Sequence, residues 1–346
     1  MNMTPLISVL IPVYNTSADL QKCLDSIIHQ TYSNLEIIAI NDGSSDDSLK
    51  ILKQYAESDQ RFVIIDQENQ GVSKTRNVAL NHAKGEYVLW VDSDDWIELN
   101  TCEFAVEEML REEADVVFWS YFKEYSGNSI VNFVVGENKV CWDKENVHQL
   151  FQRLVGLTSK ELNEPHKIDA LSPLWGKLYR RSLMEDLSFV DLKDIGTGED
   201  TLFNVQYFSK VNKAVYLPNA FYHYRKTSLS TITRSYKKDL VLKWCELHRL
   251  IKENVPESCD HALSNRIALG LIGLGLNLAE DTKLSFFEKR NELKRILKMK
   301  QYQESLAELE MHELPLKWRV FFFCAKYQMI TALCALLYLM NTLRGK

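Results

Sequence analysis

No two of the seven cysteines form a C-x-x-C pair, and an odd number scattered over 346 residues points to free thiols in a reducing compartment. No glycine precedes Gly43, so the first strand cannot run into a glycine-rich loop that cradles a triphosphate. Pro12-Val13-Tyr14-Asn15 stands there instead, which argues against a nucleotidyltransferase. No basic segment precedes the apolar run 7–13, itself short and broken by Pro12, so a strand is expected rather than a secretion signal, and with it a cytoplasmic location. Basic residues give no excess: the net charge is −6, which argues against nucleic acid as a partner. The charge-free run 327–343 is 17 residues long, short of the ~20 that span a bilayer.

What is present is a 46% hydrophobic chain, enough for one sizeable α/β domain and an appendage. Apolar runs at 7–13, 35–40, 62–65 and 87–91 read as strands, separated by amphipathic segments at 19–29 and 48–57 and a helix carrying Arg76 and Asn77. That alternation predicts a three-layer α/β/α fold with a mixed, mainly parallel sheet and right-handed crossovers. The fourth run ends in Asp92-Ser93-Asp94-Asp95. Ligands gather beyond the carboxyl ends of such strands, and two acidic side chains one residue apart point the same way. Asp92 and Asp94 can therefore offer oxygens to one hard cation, Mg²⁺ or Mn²⁺, that bridges a diphosphate. The same residues would also suit an acidic cap on the helix opening at Asn100-Thr101.

In order along residues 5–235 stand "SVLIPVYN", "NDGSSDDS", "GVSKTRNVAL", "GEYVLWVDSDDW" and "GEDTLF". Together they resemble the family 2 glycosyltransferases of the GT-A fold, especially bacterial enzymes that build capsular, exopolysaccharide or lipopolysaccharide chains. The resemblance implies that Asp94 ligates the metal directly, while Asp92, beside Ser93, contacts the ribose or the metal through water. Asp42, followed by Gly43, ends the second strand where it can accept hydrogen bonds from a base edge, and the resemblance implies uracil. Pro12, Tyr14 and Asn15 would form the opposite wall. Arg76 lies early in its helix, placed to face a phosphate, unless it is a solvated surface arginine. The missing Q-x-x-R-W signature sets the chain apart from processive members, so a long homopolymer is not expected.

The second half is expected to supply the acceptor and the base. Glu199-Asp200 opens a helical stretch after Gly198, a position that suits a helix cap and equally a general base above the sheet. The resemblance implies that Asp200 is the base, with Glu199 in support, and that one displacement with inversion turns an α-linked donor into a β-glycoside. Trp175-Gly176-Lys177 allows either close approach of an acceptor sugar or a buried tryptophan at a tight turn. Arg225 is expected to reach the diphosphate when the segment after it closes. His223 is read as a strand residue satisfied locally, since no second His or Cys sits at ligand spacing.

The expected division is a nucleotide-sugar half (1–120), an acceptor half (121–235) and a helical region (236–346). No Asp or Glu occurs in 316–346, whereas Lys317, Arg319, Lys326, Arg344 and Lys346 do. Such a tail fits a helix lying on an anionic membrane surface, or one that completes a helical core or an oligomer interface. A polyprenyl-diphosphate-linked or growing glycan acceptor, implied by the resemblance, would suit a peripheral enzyme on the inner membrane face. A non-catalytic scaffold that binds nucleotide is the alternative; metal-dependent nucleotide binding separates the two.

Overall fold

Side-chain alternation in the first strand, β1 (Ile7–Val13), orients the sheet: Ile7, Val9, Ile11 and Val13 enter one core, and Ser8, Leu10 and Pro12 face the other way. The computed structural model describes residues 4–226, 236–281 and 283–344. Among them, β1 is joined by β2 (Leu35–Asp42), β3 (Phe62–Gln67), β4 (Tyr87–Trp90), β5 (Trp96–Ile97), β6 (Val116–Tyr125), β7 (Asn128–Asn132), β8 (Val140–Trp142), β9 (Lys177–Arg180) and β10 (Ala214–Arg225). The order is β3-β2-β1-β4-β9-β6-β10-β5, with β7 on β6 and β8 on β10. The ladders β3-β2-β1-β4 and β6-β10 are parallel, and β9 enters antiparallel between β4 and β6.

Helices α1 (Leu20–Ile28), α2 (Ser48–Ser58) and α4 (Thr101–Glu112) send apolar side chains into the core that also receives Ile7 to Val13. Helix α3 (Val72–His82) packs on β1 and β2. The chain moves from β1 out to β3 and then back to β4, so right-handed crossovers put α3 on the opposite face from α1 and α2. This is the mixed, mainly parallel α/β sheet expected from the alternation.

Pro12 sits in a central strand without breaking it. Pairing with β4 ends at Leu10 and Trp90, closed by Val91 N–H donating to the Leu10 carbonyl at 3.1 Å. Pro12 faces the same side two residues later, where no ladder bond is needed. The two strands thus part at their carboxyl ends, at the point where the chain's direction of travel across the sheet reverses.

Residues 4–148, 173–191 and 206–226 form this sheet unit; residues 149–172, 192–205 and the chain from 236 onward form a second, helical unit. The chain continues through α5 (Val147–Val155), α6 (Leu192–Ile195), α7 (Glu199–Phe208), α8 (Leu240–Glu253), α9 (Asp260–Glu280), α10 (Phe286–Leu297), α11 (Lys300–Glu308), α12 (Leu316–Lys326) and α13 (Ile330–Arg344). Helix α9 is long and apolar enough to cross a bilayer, yet Leu263, Ala268, Leu271, Leu274 and Leu278 are buried, and Asn265 donates to the Leu157 carbonyl at 2.9 Å. It is the core helix of this unit. The expected tail also joins that core, through Phe321, Phe322, Ala325, Leu333 and Leu337.

His248 on α8 is buried, and desolvation, aided by the Arg266 charge, lowers its pKa to about 3. Between that value and the unfolded value near ~6.5, the unfolded chain binds the proton and the folded chain does not. Stability is therefore complete above ~6.5 and falls as pH drops, by about 2 kcal/mol at pH ~5 from this group alone. Chemical denaturation at pH ~5 and ~7 should give a His248→Leu variant with a correspondingly flatter slope.

Candidate active site

The loops after β1, β2 and β4 meet beyond the sheet's carboxyl edge and are laced together by small polar residues. Asn15 takes the left-handed conformation (φ 51°); its backbone N–H donates to Ser44 Oγ at 3.0 Å, and its Oδ1 accepts from Ser45 N–H at 2.8 Å. Thr16 donates from its backbone to Ser48 Oγ and from Oγ1 to Ser93 Oγ, both at 3.0 Å, so the β1 loop touches both neighbours. Burial pushes the Asp46 carboxyl up, but donors from Ser48 and Ser17 outweigh it and hold it at about 2. Tyr14 stands 51% exposed beside this framework.

Asp42 is buried at the end of β2. Its Oδ1 accepts from Gln67 Nε2 (2.7 Å) and Gln70 N–H (2.9 Å), and its Oδ2 from Gly71 N–H (2.9 Å). The carboxylate thus shapes the loop that leads into α3. Gly43 is obligatory there: its φ is +68°, and a Cβ would lie 2.7 Å from the Asn69 backbone nitrogen. Arg76, one turn into α3, is only 6% exposed, which removes the solvated-surface alternative. Its Nη2 stands 4.0 Å from Asp92 Oδ1, and its guanidinium lies 5.7 Å from the Phe189 ring centre. Asn77 fixes that ring's backbone by a reciprocal pair, donating to the Phe189 carbonyl (3.0 Å) and accepting its N–H (2.7 Å).

The three aspartates after β4 divide their work. Asp95 is 1% exposed and accepts from Arg225 N–H and Tyr222 Oη, each at 2.8 Å. Desolvation, with the charges of Asp92 and Asp94, still pushes its carboxyl well above the usual range. Asp94 is open to solvent yet crowded: desolvation raises its carboxyl, Asp19 adds to the rise, and Arg225 opposes it. Tyr224 reports the same field, its phenol pushed to about 12 by burial and then by Asp95, Asp92 and Asp94. Asp92 is held by its backbone, whose N–H donates to Tyr222 Oη at 3.2 Å. A buried acid thus locks two reachable ones in place, in a locally negative region.

Arg225 pairs with Asp19 at 2.8 Å, donates to the Asp94 carbonyl at 3.0 Å, and lies 5.3 Å from the Trp96 ring centre. The segment expected to close after it, 227–235, lies outside the described residues. Trp175 stacks on Tyr222 (4.4 Å, 7°) and Tyr224 (5.3 Å), with Tyr121 edge-on at 4.9 Å. It is a half-buried member of an aromatic cluster behind the aspartates. Lys177, expected on the acceptor side, is corrected to an interior cation: it lies in β9 at 3% exposure and donates to the Pro173 carbonyl. His223 is satisfied locally, between Glu124 (2.7 Å) and Glu98 (2.9 Å), and sandwiched by Trp96 and Phe122.

Glu199 and Asp200 belong to the helical unit, half-buried in the first turn of α7. The turn before them approaches α8 closely: Cβ atoms at Gly196 and Gly198 would lie 2.8 Å from Leu240 and Leu247. Between these glycines, Thr197 Oγ1 accepts from Trp244 Nε1 at 2.8 Å. Trp244 therefore fixes where α7 begins. Nothing in its sequence neighbourhood marks this, because the contact joins residues 47 apart. A Trp244→Phe change keeps the ring and removes the donor; if Asp200 is the base, kcat should fall about tenfold with donor KM unchanged, and equal kcat would detach Trp244 from the chemistry.

Comparison with known proteins places this geometry. The model of "Glycosyl transferase family 2" matches residues 8–186. This chain belongs to that family. EpsH of Bacillus subtilis (strain 168) is 32% identical over 344 residues, covering 94% of this chain and 93% of EpsH. Glycosyltransferase GlyA of Streptococcus pneumoniae serotype 4 is 40% identical over 230 residues, 65% of this chain but only 32% of GlyA's length. Among solved structures, S. aureus TarS 1–349 in complex with UDP-GlcNAc superposes with a TM-score of 0.68 at 22% identity, over 98% of this chain and 92% of that one. The fold is therefore of the GT-A type, and the chain is a family 2 glycosyltransferase.

Proposed function

We propose that this family 2 enzyme is an inverting, metal-dependent transferase. In this reading it moves one hexose or N-acetylhexosamine from a UDP-sugar to a growing or polyprenyl-diphosphate-linked glycan at the cytoplasmic membrane face, forming a β-glycosidic bond. The observation that carries it is the placement, at the sheet's switch point, of two reachable aspartates locked by buried Asp95 and faced by buried Arg76. The UDP-GlcNAc complex of TarS supports the choice of uridine diphosphate.

The donor set suits a hard divalent cation. Asp94 and Asp92 would hold it, and bound there it would offset charge on the diphosphate. Among the described residues no group of three or more His, Cys, Asp or Glu is arranged as a cage. Tyr14, Pro12 and Asn15 wall the base, and Asp42 with Gly43 shapes the facing loop. Arg76 and Arg225 steady the diphosphate, Arg225 after leaving Asp19. Asp200, supported by Glu199, accepts the proton of the acceptor hydroxyl as its oxygen bonds to the anomeric carbon. The opposite bond to the diphosphate oxygen breaks with its electron pair, so the configuration inverts. Residues 1–120 serve the donor and 121–235 the acceptor, while the chain from 236 onward forms the helical unit together with 149–172 and 192–205.

A panel of UDP-, GDP- and TDP-sugars with Mn²⁺ or Mg²⁺, each with and without chelator, tests this reading. Chelator-sensitive release of UDP is the expected result. Silence together with metal-independent nucleotide binding would favour a scaffold.

A further inference from the structure

Helix α12 is apolar on two sides. Phe321, Phe322 and Ala325 are buried in the helical core, but Leu316, Val320, Phe323 and Tyr327, at i, i+4, i+7 and i+11, form one exposed stripe. Leu316 is 75% exposed, and the Phe323 and Tyr327 rings touch at 4.6 Å. The chain reverses at Gln328 (φ 51°), and α13 carries the exposed apolar surface on through Tyr338, Leu339 and Leu343. Membership of the core explains the first face and leaves the second without a purpose.

Charge identifies what covers it. From residue 316 to the end there is no acid, and Lys317, Arg319 and Lys326 are all exposed on α12. At the start of α13, Arg290 and Lys294 of α10 join Gln328, Met329, Ile330, Thr331 and Ala332 around an open cleft of about 500 Å³. Phe286 and Phe287, one turn before Arg290 on the same helix, are also exposed. Along α12 and α13 the apolar side chains are accompanied by cations and by no acid, which matches the boundary between acyl chains and anionic headgroups.

We infer that the outer stripe of α12, with α13 and the Arg290–Lys294 cleft, docks this protein on an anionic lipid surface, the stripe entering the acyl boundary and the cleft facing headgroup phosphate. This deepens the membrane-face placement proposed above, and rests on the surface of α12 and α13 rather than on the transfer reaction.

The test is flotation of the full chain with phosphatidylcholine vesicles and with vesicles that hold about one-third phosphatidylglycerol. Three proteins are compared: wild type; Leu316→Ser, Val320→Ser, Phe323→Ser and Tyr327→Ser combined; and Arg290→Gln with Lys294→Gln. Every substituted side chain of the stripe is exposed, so melting temperature and UDP binding should match wild type. Wild type should bind the anionic vesicles, the stripe variant about a hundredfold more weakly, and the cleft variant several-fold more weakly with a reduced salt dependence. Equal flotation of wild type and stripe variant would overturn the proposal. So would a wild-type dimer in sedimentation velocity that the stripe variant abolishes without any vesicle binding, since the occupant would then be a second copy.

Discussion

Asp94→Asn should raise the melting temperature of the metal-free protein and at the same time cost most of its transfer activity. Both effects come from the same crowding. In the folded chain the Asp94 carboxyl lies above the ordinary range because protein surrounds it and Asp19 repels it, and Asp94 in turn raises buried Asp95. A carboxyl whose folded pKa is raised is held ionised at neutral pH against the fold's preference, so its charge works against stability there. Asparagine keeps the shape and removes that repulsion. The stabilisation vanishes as pH falls through the raised value, where wild-type Asp94 is neutral as well. A divalent cation relieves the same repulsion by a different route, so Mn²⁺ should raise the wild-type melting temperature and leave the variant unmoved. Turnover should fall by about two to three orders of magnitude, the scale of one lost electrostatic stabiliser. A variant no more stable than wild type without metal, or one still stabilised by Mn²⁺, would remove Asp94 from the cation site.

What local sequence could show, it showed well. The runs read at 35–40 and 62–65 are the cores of β2 and β3, and the acidic cluster does end β4 at the sheet's carboxyl edge. These follow from periodicity, which is a property of neighbours along the chain. The site's supports depend on residues far apart. Asp95 owes its hold on the cluster to Tyr222 and Arg225, roughly 130 positions away, and Arg76 is buried beside Phe189, which Asn77 clasps across 112 positions. Lys177 misled for a related reason: it sits beside an aromatic-glycine pair that suits sugar binding, but β9 runs between β4 and β6 and takes the amine inside. Likewise the basic, acid-free tail from 316 reads as a helix, yet Met329 N–H bonds back to the Cys324 carbonyl at 2.8 Å and Gln328 turns left-handed, which folds it into two helices.

Asp200→Asn should keep nucleotide and metal binding intact while transfer falls by about two to four orders of magnitude, the usual worth of a positioned general base. The amide can occupy the same first turn of α7 and still serve as a cap, since asparagine favours such positions as strongly as aspartate. A role limited to capping would therefore leave turnover near wild type, with a melting temperature within a few tenths of a degree to a degree or so of it. A role in catalysis separates the two readouts. The loss should sit in kcat, with the donor KM unchanged, because the base acts on the acceptor hydroxyl and not on the nucleotide. Glu199→Gln, one residue earlier in the same turn, should lose much less if Asp200 alone takes the proton. Hydrolysis of the donor by water would be a useful second readout: if it persists in Asp200→Asn while transfer does not, the carboxylate is required to activate the acceptor. Equal loss of UDP binding in the variant would place Asp200 in the fold's support and end its claim to the proton.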